Sequence, residues 1–344
     1  MQRRDFLRTG LATATGGALL GTAIDTGHAQ GGATPAGPIT RRIPSSGVAL
    51  PVIGLGTSGP FEVGPDPAER EPLSQVLAAF FDGGATLIDT SPMYSTAEAV
   101  LGELLTPAMQ ARAFIATKVW TRGEREGLAQ VERSARLMKR TVLDLVQVHN
   151  LLDLDVQLRT LRGLKDEGRV RHVGITHYTV ASQAELAAVV QREKLDFVQC
   201  NFSVTSPEAE QRLLPLCAER GVGVIVDRAF DDGKVFARLK GRPLPGWAAE
   251  IDCDSWAQLL LKFVVAHPAV TCVIPATGKL RNLRDNITSV EDRLKQLDAQ
   301  RLSLKKQSDV LDQVRTRLSR APGMPGVAAA GVATAPQSAT TSVS

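Results

Sequence analysis

Along the middle of the chain the hydrophobic pattern alternates between two periods. Short apolar runs rich in β-branched residues have the length and composition of buried strands: Val52–Leu55, Thr86–Asp89, Ala113–Val119, Leu143–Val148, Val170–Ile175, Phe197–Cys200, Val222–Val226 and Val270–Ile274. Between most of them, apolar residues recur at helical spacing in Leu73–Phe81, Leu128–Arg140, Val156–Asp166, Ala181–Gln191, Ala209–Arg220 and Ser255–Ala266. Eight buried strands alternating with amphipathic helices over about 250 residues predict an α/β fold, a closed (β/α)8 TIM barrel rather than an open sheet. An open dinucleotide-binding sheet is disfavoured locally as well. Gly54-Leu55-Gly56-Thr57 lacks the third glycine of the G-x-G-x-x-G turn and leads into a Gly/Pro-rich loop instead of a helix.

The pattern changes at both ends. Residues 1–29 join a basic start (Arg3, Arg4, Arg8) to an apolar Leu11–Ile24 stretch and small residues around His28, the arrangement of a twin-arginine-type export signal. That stretch is too short and too rich in Gly and Thr for a membrane span. Residues 30–40 read as a linker and 41–288 as the barrel. Over 289–321 a C-terminal helical extension is expected, with Val290, Leu297, Leu304, Leu311 and Leu318 at heptad spacing. Its companion positions, Leu294, Arg301, Ser308 and Arg315, make the seam only half apolar. Packing on the barrel and self-association with a second chain both remain open. The Ala/Gly/Thr/Ser tail over 322–344 lacks the hydrophobes to fold. The expected location is the periplasm, with no membrane span in the mature protein.

Composition narrows the class. The 344 residues carry a formal charge of +4, but the excess lies in the two ends and the barrel segment is neutral, which removes a nucleic-acid footprint. The four cysteines, Cys200, Cys217, Cys253 and Cys272, form no CxxC pair, and Cys200 and Cys272 fall in strand-like runs as small buried hydrophobes. No metal site is expected.

In a barrel of this type, chemistry sits at the C-terminal ends of the strands. That rule selects Asp89 at the end of the second run, Tyr94 in the loop after it, Lys118 near the end of the third, and His149 capping the fourth. Singly each has a structural explanation, but on consecutive strand ends they would converge on one mouth.

The motifs carrying these residues resemble those of the aldo-keto reductase family, over roughly residues 41–288: LIDTSPMY, ATKVW, VQVHN, VGITHYT and VIPATGKLRNLRDN. The resemblance implies a catalytic tetrad of Asp89, Tyr94, Lys118 and His149 and an NADP(H) cofactor in the barrel mouth. Tyr94 would be the general acid/base for interconversion of a small-molecule carbonyl (aldehyde, ketone or sugar) and an alcohol. Lys118, held by Asp89, would draw the phenol's pKa down from about 10, and His149 would orient the substrate oxygen. The resemblance places Gly56, Thr57, Thr176, His177, Gln199, Arg228, Thr277, Gly278, Lys279, Asn282, Asp285 and Asn286 around the cofactor. Thr277 and Lys279, at a helix start, would hold the 2′-phosphate. Trp120, Phe61, Phe202 and Phe230 are candidates for an apolar substrate wall.

Several residues depart from the family pattern. Ser95 follows Tyr94 where glycine is usual, and His177 stands where Asn is common. Asp227 occupies a position where many relatives stack an aromatic on the nicotinamide; it is expected to pair with Arg228, unless Arg228 serves the pyrophosphate. No C-terminal loop that would close the substrate pocket is recognisable. A twin-arginine route would export the barrel folded and loaded, with its nucleotide held tightly and recycled in place. A second class of function, a non-catalytic NADP(H)-binding sensor or partner-binding barrel, is compatible with the altered seventh loop and the appended helix; an intact tetrad favours the enzyme.

Overall fold

The computed structural model describes residues 38–288. The export signal read over 1–29, most of the 30–40 linker, the 289–321 helix and the 322–344 tail lie outside the described residues.

In chain order the elements are β1 (Thr40–Arg42), β2 (Ala49–Pro51), β3 (Leu55–Gly56), α1 (Pro67–Asp82), β4 (Leu87–Asp89), α2 (Ala97–Leu104), α3 (Pro107–Arg112), β5 (Phe114–Val119) and α4 (Glu124–Leu137). They continue with β6 (Leu143–His149), α5 (Leu154–Asp166), β7 (Val170–His177), α6 (Gln183–Arg192), β8 (Phe197–Asn201), α7 (Leu213–Arg220), β9 (Gly223–Asp227), α8 (Lys234–Leu239), α9 (Trp256–Val265), β10 (Val270–Val273) and α10 (Leu280–Thr288). Strands β3 to β10 pair in sequence order as one eight-stranded parallel sheet. The ring closes where Gly54 N–H donates to Val273 O at 2.8 Å and Val273 N–H to Val52 O at 2.9 Å. Glycine is required at this seam. A Cβ on Gly54 would stand 2.8 Å from Leu87 O, and one on Gly56 2.8 Å from Ile274 O.

All eight apolar runs become barrel strands. Side-chain caps start some of the helices: Asp66 accepts the Ala68 N–H at 2.9 Å with Pro67 opening α1, and Ser255 accepts the Gln258 N–H at 3.1 Å ahead of α9. The hydrophobic pattern does not announce the β1–β2 hairpin, whose strands are three residues each.

Apolar side chains form two layers. The larger packs helices against the outside of the barrel. The smaller fills the barrel interior with Leu87, Phe114, Ala116, Leu145, Phe197, Ile225, Cys272 and Ile274, and the hairpin's Ile43 and Leu50 seal its lower end. His172 completes that plug, its ring 5.7 Å from those of both Phe114 and Phe197 and its Nδ1 2.8 Å from Asp144 O.

Because side chains alternate in a strand, the interior positions run Phe114, Ala116, Lys118 on β5 and Leu145, Gln147, His149 on β6. On β8 they run Phe197, Gln199, Asn201, and on β9 Ile225, then Asp227. These four strands therefore turn from apolar to polar on their inner faces as they climb toward their C-terminal ends.

Phe61 and Phe202, candidates for a substrate wall, belong to the outer layer. Both are fully buried, and Phe202 packs against Phe263 at 5.5 Å between ring centroids. Cys200 and Cys272 are buried, like Cys217 and Cys253. Among the described residues no helix is long and apolar enough to cross a membrane.

Candidate active site

Lys118 reaches the site as the last inward residue of β5, with 1% of its side chain exposed. Its Nζ donates to Asp89 Oδ2 at 2.8 Å and to Thr90 O at 2.7 Å. An ammonium has three hydrogens, so one remains for the side facing Tyr94, whose ring centroid lies 5.0 Å from Nζ. Burial pulls the Lys118 pKa down, but Asp89 and Tyr94 outweigh it and hold the ammonium charged, above the ordinary lysine value. One turn behind, Glu98 on α2 accepts from Thr117 Oγ1 at 2.6 Å and Ser134 Oγ at 2.9 Å, tying β5 to α2 and α4.

A turn after β4 delivers Tyr94: its N–H donates to Ser91 O at 3.0 Å and its carbonyl accepts from Ala97 N–H at 2.8 Å. The next residue, Ser95, has φ 44. This left-handed conformation explains why glycine is usual there, and the serine bears a cost of about 1 kcal/mol. Lys118 does favour the phenolate, as expected. Burial acts more strongly in the opposite direction, Asp89 and Asp227 add to it, and the Tyr94 pKa lies above its ordinary value rather than below. The phenol is thus a proton-bearing group at neutral pH.

His149 ends β6 with its ring edge-on to Tyr94 at 6.5 Å and 6.3 Å from the Trp120 ring. Burial, then the Lys118 ammonium and His177, lower its pKa to about 3, so the imidazole is neutral. Its Nδ1 lies 3.5 Å from Ser91 Oγ. Deeper, Gln147 Nε2 donates to Gln199 Oε1 at 2.7 Å, fixing the Gln199 carboxamide beneath the site.

Asp89, Tyr94, Lys118 and His149 all line one cavity of about 1010 Å³ in the barrel mouth, at the upper end of ligand-pocket sizes. Of the residues expected around a cofactor, Gly56, Thr57, Thr176, Gln199, Arg228, Thr277, Asn282, Asp285 and Asn286 are on its wall, and His177, Gly278 and Lys279 are not. His177 is turned aside by Thr179 Oγ1 and Ser182 Oγ, each 3.2 Å from a ring nitrogen, and stacks on Tyr178. Asp285 is committed to Ser255 Oγ and Gln258 Nε2, both at 2.7 Å. Trp120 and Phe230 line the wall; Phe61 and Phe202 do not.

Arg228 does not pair with its neighbour Asp227. It donates to Asp232 Oδ2 at 2.9 Å and stacks its guanidinium 4.5 Å from the Tyr178 ring centroid, bridging the mouth from φ 53. The sequence patterns did not single out Gln147, Thr90, Ser91, Glu98, Met93, Tyr178 or Phe236. Period-two counting back from His149 would have found Gln147; the others depend on how loops fold.

The cavity suits a nicotinamide dinucleotide. The N-terminus of α10 opens beside it, with Lys279 O accepting the first helical bond from Leu283 N–H at 3.0 Å and Thr277 Oγ1 accepting Lys279 N–H at 3.1 Å. On the inner wall, the carboxamide oxygen of Asn150 and one carboxylate oxygen of Asp227 are buried without a hydrogen-bond partner, as groups awaiting a polar ligand would be.

Comparison with known proteins agrees with this architecture. The chain is 27% identical over 257 residues to a methylglyoxal reductase of Escherichia coli, covering 73% of this chain and 89% of that protein. An aldo/keto reductase of Klebsiella pneumoniae, solved with NADP and acetate, superposes with a TM-score of 0.60 at 25% identity, over 74% of this chain and 92% of that one. The holo form of an aldo-keto reductase of Bacillus halodurans shares the fold, with a TM-score of 0.59 at 22% identity, over 73% and 90% of the two chains. The sequence profile of the Aldo/keto reductase family matches residues 52–305, well over half of the chain, and the protein belongs to that family.

Proposed function

We propose that this chain is an NADP(H)-dependent oxidoreductase that interconverts a carbonyl compound and an alcohol, with Tyr94 as its proton donor and acceptor. The observation that carries the reading is the convergence of the half-buried Tyr94 phenol, the Lys118 ammonium paired with Asp89 and the His149 imidazole on one cavity wall. Family membership, a methylglyoxal-reducing relative and a neighbour solved with NADP support it.

The nucleotide would be held by Gly56, Thr57, Thr176 and Gln199 on the inner wall, by Arg228 at the mouth, and by Thr277, Asn282 and Asn286 at α10. The exposed Lys279 at the helix start would meet the adenosine 2′-phosphate. When bound, the reduced nicotinamide supplies hydride. The protein's task is the proton and the position. Tyr94 Oη gives its proton to the carbonyl oxygen as charge develops there, a step worth about 10²–10⁴ in rate. The phenolate left behind is stabilised by the Lys118 ammonium, which Asp89 and Thr90 hold in place. His149, whose Nδ1 faces Ser91 Oγ, would donate from Nε2 to the same oxygen, orienting the carbonyl without competing for the proton.

Met93, Trp120, Tyr178 and Phe236, all large exposed hydrophobics, ring this mouth. They favour an aldehyde or ketone with an apolar substituent over a sugar. The test is turnover: the full chain should consume NADPH with methylglyoxal and with aromatic aldehydes. No NADPH consumption across such a panel would refute the reading.

A further inference from the structure

Asp227 is an acid with no role in the scheme above, in a place where a charge matters. As the last inward residue of β9, in register with Asn201 of β8, it reaches the cavity wall. Its side chain is half-buried and its Oδ1 is sealed from water with no hydrogen-bond partner.

What faces it compensates its charge only in part. Lys118, from β5, gives two of its three hydrogens to Asp89 and Thr90 and turns the third toward Tyr94. Arg228, next along the chain, is drawn off to Asp232 and the Tyr178 ring. From β8 come the neutral Gln199 carboxamide and the Cys200 thiol, which burial keeps protonated. From β4 comes Asp89, a like charge. Burial, followed by Asp89, raises the Asp227 pKa to about 7, with Arg228, Lys118 and Gln199 only partly offsetting. Asp227 is also felt at the reacting end of the cavity, since it helps hold the Tyr94 phenol protonated.

A half-buried carboxylate with one oxygen sealed from water and no ion-pair partner favours any ligand that brings a positive charge. Of the two forms of a nicotinamide dinucleotide, only the oxidised ring is cationic. We propose that Asp227 makes this site bind the oxidised cofactor more tightly than the reduced one, acting as the missing counter-charge for the nicotinamide ring. The inference rests on the NADP(H) reading above. Its consequence is that bound NADPH is a stronger hydride donor than free NADPH whenever Asp227 is ionised.

Tryptophan quenching gives the test, since Trp120 and Trp256 line the cavity. NADP+ and NADPH would be titrated into the full-length protein and into Asp227→Asn across pH 6 to 8.5. The adenosine phosphates are common to both forms and cancel in the ratio of Kd values. The wild-type ratio should shift toward NADP+ by about tenfold as pH rises through this window, the size expected of one partly screened charge pair. Asp227→Asn should give a flat ratio, and Asp227→Glu should restore the shift. A pH-independent wild-type ratio, or the same shift in Asp227→Asn, would overturn the inference while leaving the functional reading intact. Failure of both nucleotides to bind the wild-type chain at any pH would overturn the functional reading and the inference with it.

Discussion

Lys118 and Asp89 form a buried ion pair, Nζ to Oδ2 2.8 Å, with 1% and 3% of their side chains exposed. Such pairs contribute little net stability, yet breaking one is expensive because the survivor keeps its charge in a dry place. Lys118→Met should therefore lower unfolding free energy by about 3–5 kcal/mol as well as abolish turnover. Adding Asp89→Asn to that variant should recover much of the stability and none of the activity. Urea denaturation of the two variants checks this, and a double variant no more stable than the single one would contradict it.

His149 carries a pH signature. Its pKa is about 3 in the folded protein, against about 6.5 when unfolded. The unfolded chain takes up the proton first as pH falls, so the stability His149 allows is fully present above 6.5 and is lost on the way down to 3. The loss is about 1.4 kcal/mol per pH unit. Between pH 7 and 4.5 the wild type should lose about 2–3 kcal/mol more than His149→Asn does. Equal losses in paired denaturation curves would show that the imidazole is not held neutral.

Asp227 has the opposite sign. Its folded pKa of about 7 lies above the carboxylate's ordinary value, so its contribution is fully present at low pH and is lost as pH rises through 7. Asp227→Asn should stabilise the protein at pH 8 and leave it nearly unchanged at pH 4. Thermal unfolding at the two pH values would show the difference, and stabilisation of equal size at both would contradict the assigned burial of charge.

Trp120 is 39% exposed on the cavity rim, so its removal should cost little stability. Trp120→Ala should raise KM for an aromatic aldehyde by about tenfold, the worth of roughly 1.4 kcal/mol of lost apolar contact, while methylglyoxal changes much less. Steady-state kinetics with both substrates decide it. Equal effects on the two would remove Trp120 from the substrate wall.

The barrel was legible because its determinants are local. Each strand is a continuous apolar run, and the rule that chemistry gathers at C-terminal strand ends leads to Asp89, Lys118 and His149 without knowledge of any contact. What was not legible depends on packing across the chain. The β1–β2 hairpin has strands too short to show a period, and its meaning appears only when Ile43 and Leu50 are seen sealing the barrel. Phe61 and Phe202 follow strands just as Trp120 does, but they fold outward into the helix layer. Arg228 was free in sequence to choose among partners, and the left-handed backbone at its own position carries it to Asp232 and Tyr178 instead of Asp227. The raised pKa of Tyr94 is hidden from the sequence for a related reason: a lysine at a strand end announces a charge, whereas burial of the phenol is a property of the whole mouth.

The most direct test of the central claim is Tyr94→Phe, which removes one oxygen and nothing else. NADPH affinity and the unfolding midpoint of the variant should match the wild type, while kcat for carbonyl reduction should fall by at least about 100-fold. Wild-type kcat in a variant that still binds NADPH would show that the proton comes from elsewhere, and the mechanism assigned to this cavity would be wrong.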